Sequence, residues 1–292
     1  MTHPFEETVG PGGARCEIRE GVCYVKRGDQ ALAGTLYSPT GPGPHPMIVA
    51  LHGGGWRNAG ADVFRHFGPW LAERGYVVFA PTYRLAKAGQ ASFPHAVHDV
   101  RAAVQFVKSR AQAWRIAPDR VALLGESAGG HLAALVALAG DKPIFSKADD
   151  AEPLAGVPTR VKAGIAVYGI FDLAAQWRHD QLTRPRDHLT EMFLGTSLVE
   201  DRRVFFDASP LSYVSVHDNA TAFLLAWGTH DDIVDPGQSE VFLEALKQAR
   251  YLVRSVIVAG APHYWLPDPL DEPQSFSAFF AHRLLRFLKQ RL

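Results

Sequence analysis

The sequence predicts an α/β protein with a mostly parallel central sheet, helices on both faces and a small helical cap. Three observations predict it: six short apolar runs recur along the chain, helical periodicities separate most of them, and one long excursion interrupts the rhythm. Runs without polar alternation suit strands covered on both faces, as a parallel sheet requires. Strand alternating with helix implies right-handed crossovers and a layered architecture.

The opening differs from the rest. CYVKRG (23–28) and ALAGTLYSP (31–39), separated by turn formers, predict an antiparallel hairpin. MIVAL (47–51) is the first core strand. Val63, Phe64, Phe67, Trp70 and Leu71 then share one side of a helix that Gly75 terminates. After the strand YVVFA (76–80), Val97, Val100, Val104 and Val107 keep helical spacing through 95–111. The strand VALLG (121–125) leads into the apolar helical run HLAALVALAG (131–140). AGIAVYG (163–169), AFLLAWG (222–228) and SVIVAG (255–260) complete the strands, and Phe276, Phe280, Leu284 and Leu288 mark a closing helix. Residues 174–213 form the excursion. They carry Trp177, Met192, Phe193, Leu194, Phe205 and Phe206, too many large apolar groups for a disordered linker. They predict a cap over the strand ends within a single domain spanning 1–292.

Bulk properties exclude several classes. With 47% hydrophobic and 21% charged residues, the 292-residue chain can bury a large core. Thirty basic residues balance thirty acidic ones, so no global field points to nucleic acid or an anionic membrane. No apolar stretch reaches the roughly 20 residues of a membrane helix. The start, MTHPFEETVGPGG, has no basic segment followed by an apolar one, so no secretory leader is expected and the cytoplasm is the default location. Cys16 and Cys23 lack CxxC spacing and read as two small residues of the hairpin, although a disulfide fits their separation.

The most specific chemical signal is GESAGG (125–130), which follows the strand VALL and opens an apolar helix. Gly125-x-Ser127-x-Gly129 in that context is a nucleophile elbow: glycines flank a turn too sharp for Cβ atoms, and Ser127 is presented at the strand end. A serine hydroxyl needs a base, and the base an orienting acid, each on a loop after a later strand. AFLLAWG is followed by THDDIVD and SVIVAG by APHYW, which supplies Asp231 and His263 in the order Ser, Asp, His. Asp232 and Asp235 compete with Asp231; Asp231 sits three residues past Gly228, the tightest turn back toward the rim, and Asp232 is the runner-up. His95 and His98 have the spacing of a metal pair, but no third ligand accompanies them, so no metal and no cofactor is expected. HGGGW (52–56) after the first core strand fits an oxyanion hole, with amides of Gly53, Gly54 and Ala128 aimed at the developing charge. Trp56, Trp177 and Tyr264 are candidate walls of an acyl or aryl pocket, or ordinary packing. Glu126 reads as a loop anchor.

HGGGW, PTYR (81–84), GESAGGHLAAL, GTHDDIV and GAPHYW, in that order, resemble the α/β-hydrolase carboxylesterases of the hormone-sensitive-lipase-like type. The resemblance is closest to the bacterial branch related to acetyl-xylan and feruloyl esterases and kynurenine formamidase, and it covers about residues 30–290. It implies an α/β-hydrolase fold, a Ser127–His263–Asp231 triad and an oxyanion hole of Gly53, Gly54 and Ala128. The implied activity is hydrolysis of small to medium acyl or aryl esters through an acyl-serine, with a small-molecule ester as partner and a homodimer left open. The alternative is an arylformamidase or amidase with the same triad; HGGGW, where those formamidases read HGGYW, speaks against it. Lys87 stands where many lipase-like esterases carry the proline of YRLAPE, so the flanking loop is expected to differ.

Overall fold

The structure, a computed structural model, describes residues 6–9, 15–146 and 154–292. Most of the opening stretch inspected for a leader lies outside them. The strands are β1 (Glu6–Val9), β2 (Arg15–Arg27), β3 (Gln30–Pro39), β4 (His45–Leu51), β5 (Val77–Pro81), β6 (Ile116–Glu126), β7 (Ala163–Val167), β8 (Ala222–Gly228) and β9 (Val253–Val258). They form one sheet in the order β1-β2-β3-β5-β4-β6-β7-β8-β9. Pairings from β1 through β3 to β5 are antiparallel, and all those from β5 through β4 to β9 are parallel. The carboxyl ends of β4, β6, β8 and β9 therefore share one rim.

The helices are α1 (Phe67–Ala72), α2 (His95–Ser109), α3 (Ala128–Ala139), α4 (Pro143–Ser146), α5 (Leu173–Thr183), α6 (Leu189–Leu194), α7 (Arg202–Ala208), α8 (Gly237–Gln248) and α9 (Phe276–Arg291). Alternation within the strands assigns them to two faces. Met47, Val49 and Leu51 of β4 pack with Val97, Val100 and Val104 of α2 and Leu132 of α3. Ile48 and Ala50 point the other way, into a cluster with Leu71 of α1 and Phe280, Leu284 and Leu288 of α9. Phe242 and Leu246 of α8 cover Phe223 and Leu225 of β8, together with Ala134 and Leu138 of α3. Each fully buried Leu or Phe contributes about 1.5–3 kcal/mol relative to exposure, so α3, buried along nearly its whole length, is fixed firmly.

Two elements differ from expectation. The helix expected over 63–71 is split into a 3-10 turn (Ala61–Phe64) and α1. Pro69 explains the break, because its ring would meet the carbonyl of Arg65 in a continuous helix. SVIVAG forms an edge strand, with Ile257 exposed on one side, instead of a strand covered on both faces. Cys16 is buried, Cys23 is exposed, and both are free thiols. Among the described residues no helix is long and apolar enough to cross a membrane.

Candidate active site

Ser127 is the first residue after β6 and immediately precedes α3, with φ 53° and ψ −120°. Its amide donates to the Val167 carbonyl at 2.9 Å, which pins the turn to β7. The elbow closes only because its flanks lack side chains. A Cβ on Gly125 would lie 2.1 Å from the Gly129 carbonyl oxygen, and one on Gly129 would lie 2.1 Å from that of Leu51.

Three chain-distant groups meet here. His263 Nε2 lies 2.9 Å from Ser127 Oγ, and His263 Nδ1 lies 2.7 Å from Asp231 Oδ2. The other oxygen, Asp231 Oδ1, accepts the amides of Ile233 and Val234 at 3.0 and 2.9 Å. All three side chains are buried. The carboxylate thus assigns the proton to Nδ1 and leaves Nε2 facing the hydroxyl, the polarity needed to withdraw a proton from Oγ. Asp232 and Asp235 are exposed, and Asp235 Oδ1 instead accepts the Gly237 amide at 2.7 Å. The His263 loop is held by Tyr168, whose hydroxyl accepts the Leu266 amide at 3.1 Å, and by Ser277, whose hydroxyl donates to the Trp265 carbonyl.

The HGGGW turn corrects one expectation. The Gly53 amide donates to Glu126 Oε1 at 2.5 Å, so it is already engaged and not free for an oxyanion. Glu126 is the loop anchor read from the sequence. Burial pushes its carboxyl up to about 7, and the Gly53 N–H opposes that shift. Further along the turn, Gly54 (φ 83°) and Gly55 (φ 58°) adopt left-handed backbone. The amides of Gly54, Gly55 and Ala128 donate no hydrogen bond among the described residues. The third glycine of the run was the available signal for Gly55. Tyr83 braces the turn by donating to the carbonyls of His52 and Gly53 at 2.8 and 3.2 Å. Its ring stacks on that of His52 at 4.3 Å.

The pocket-wall candidates separate. Tyr264 is half exposed, with its ring 4.2 Å from that of His263. Trp56 is only 2% exposed and belongs to the core, stacked on Phe193 at 4.4 Å. Of the two readings left open for Trp56, packing is the one observed, and residues 174–213 supply Phe193 as its neighbour. Trp177 spends its indole N–H on Glu191 Oε1 at 2.7 Å, joining α5 to α6. Nothing local announces Leu189, whose side chain closes over Gly55, or the Arg57–Asp187 ion pair at 2.9 Å. His98 is buried and His95 exposed on α2. Among the described residues no cluster of three or more His, Cys, Asp or Glu could hold a metal ion. The loop around Lys87 makes a two-residue bridge with Gln90.

The BD-FAE family model matches residues 35–246. Esterase LipC of Mycobacterium tuberculosis is 30% identical over 256 residues, covering 85% of this chain and 59% of that protein. Esterase LipQ of the same organism is 29% identical over 210 residues, 70% of this chain and 46% of its own length. The chain spans about half the length of these curated relatives. Among solved structures, the thermophilic esterase Est2 of Thermogutta terrifontis superposes with a TM-score of 0.73. The match is 23% identical and covers 94% of this chain and 92% of the other, which establishes the α/β-hydrolase fold.

Proposed function

The chain belongs to the BD-FAE family, and from that premise we propose that it is a serine carboxylesterase acting on small to medium acyl or aryl esters. The observation that carries the reading is the continuous relay from Asp231 through His263 to Ser127, at 2.7 and 2.9 Å. Ser127 Oγ attacks the ester carbonyl while His263 Nε2 takes its proton. The carbonyl oxygen gains the negative charge, which the Gly54, Gly55 and Ala128 amides receive; each such donor is worth about 2.7–4 kcal/mol in the transition state. As the tetrahedral species collapses, the imidazolium returns its proton to the departing alkoxide, leaving acyl-Ser127. A water, deprotonated by the same imidazole, then releases the carboxylic acid and restores the serine. Asp231 orients the imidazole and stabilises the imidazolium throughout. Tyr264 is read as a wall for the substrate, and residues 174–213 as a cap on a single hydrolase domain.

Ser127→Ala is expected to lower p-nitrophenyl acetate turnover by on the order of 10⁶-fold. Turnover near the wild-type level would falsify the proposal. The same assay with an N-formylanilide separates ester from amide hydrolysis, and the proposal expects the ester to be turned over faster.

A further inference from the structure

The nucleophile helix, the HGGGW turn and the cap meet at a single imidazole that the proposed chemistry does not use. His131 lies one turn into α3, fully buried. The Trp56 indole N–H donates to His131 Nδ1 at 3.1 Å. On the other side of the ring, Nε2 lies 2.8 Å from the Ala208 carbonyl oxygen at the end of α7. An indole can only donate and a carbonyl can only accept, so both contacts are satisfied by one tautomer, the neutral ring protonated on Nε2. Burial lowers the His131 pKa to about 4, against the pull of the Ala208 carbonyl, which keeps that tautomer in place at neutral pH. Trp56 directly follows Gly55 and itself has φ 57°. Its carbonyl accepts the Ala86 amide at 2.8 Å, and its ring is held against Phe193 of α6. The indole is therefore gripped at its N–H, its backbone and one ring face, and the two free glycine amides precede it.

We propose that His131 is a positioning residue: held in its accepting tautomer by the Ala208 carbonyl, it takes the Trp56 N–H and so fixes the Gly54 and Gly55 amides relative to Ser127. The inference rests on the proposed esterase chemistry, since the amides matter only if an oxyanion forms. An oxyanion donor acts on the transition state more than on the ground-state ester, so its displacement lowers kcat and leaves KM nearly unchanged.

The experiment uses the full chain and measures p-nitrophenyl acetate kinetics per active site. Sites are counted by exhaustive labelling with diethyl p-nitrophenyl phosphate. His131→Asn places an amide oxygen where Nδ1 was, His131→Gln places an amide nitrogen where Nε2 was, and His131→Leu removes both. Trp56→Phe keeps the ring on Phe193 and deletes only the N–H, and it carries the test if a His131 variant fails to fold. The expected result is a kcat loss of about tenfold or more in His131→Leu, His131→Gln and Trp56→Phe, with KM within about twofold. His131→Asn should recover to within about threefold of wild type. Combining Trp56→Phe with His131→Leu should cost no more than His131→Leu alone, since the Leu variant already lacks the Trp56 contact. A merely structural role would lower thermal stability and the count of labelled sites while leaving kcat per site unchanged. That outcome, or rescue by Gln in place of Asn, overturns the proposal. Persistent turnover by Ser127→Ala would instead overturn the esterase reading beneath it.

Discussion

Asp231 commits both oxygens, one to the imidazole and one to two backbone amides, so its charge and its direction are fixed together. Replacing it with Asn removes the charge and favours the wrong imidazole tautomer. Asp231→Asn should lower kcat by about 10⁴-fold, while Asp232→Asn, on an exposed neighbour, should leave steady-state ester hydrolysis unchanged. Comparable losses in both variants would reassign the acid. Glu126 predicts a different pH signature. Its folded pKa of about 7 exceeds the ordinary 4.5, so between these values the native state holds more protons than the unfolded one. The stability this group contributes is full below 4.5 and is lost as pH rises toward about 7. Urea midpoints of wild type minus Glu126→Gln should therefore decline from pH 4.5 to 7 and level off above; a difference that is flat or rises with pH contradicts this assignment. The convergence of Ser127, His263 and Asp231 was legible because each follows a strand in an order the elbow demands. Gly53 was misread because its partner, Glu126, lies 73 residues away, and nothing local reports an amide already engaged.

At the level of elements, strand-end turns set the accuracy of the site. Gly129 lets α3 start against β4 with no space between them: an added Cβ would meet the carbonyl oxygens of Leu51 and His52 at 2.1 and 2.5 Å. Neither backbone group can yield without moving the HGGGW turn or the elbow. Gly129→Ala should thus reduce both folded yield and kcat in the surviving fraction, measured by circular dichroism and by turnover per labelled site. Normal kcat per site would show that the two turns move independently. Core strands were legible because burial on both faces leaves an unbroken apolar run, as in β4 and β8. The split at Pro69 and the exposed side of β9 were less so. The first depends on a ring clashing one turn back, and the second on a strand's place in the sheet, which its own residues do not encode. Trp56 was ambiguous for a similar reason, since its cover comes from Phe193, 137 residues further along the chain.

Across the whole molecule, residues 174–213 are fastened to the rest of the chain at several separate points. Arg57 pairs with Asp187, Leu189 leans on Gly55, Phe193 stacks on Trp56, and the Ala208 carbonyl meets His131. The apolar content of residues 174–213 marked them as ordered but gave no sign of these attachments, because pairings between segments 77 or more residues apart have no local trace. The backbone of Ser127 bears on the molecule as a whole. A non-glycine residue at φ 53° and ψ −120° occupies a sparsely allowed conformation, at a cost of about 1–3 kcal/mol. Glycine would relieve it. Ser127→Gly should therefore melt several degrees above wild type in a thermal scan while being inert toward esters; an equal or lower melting temperature would show that the elbow bears no tension. If the dead variant is indeed the sturdier one, durability has been surrendered to keep the catalyst, and selection for heat resistance alone would erase it at this residue first.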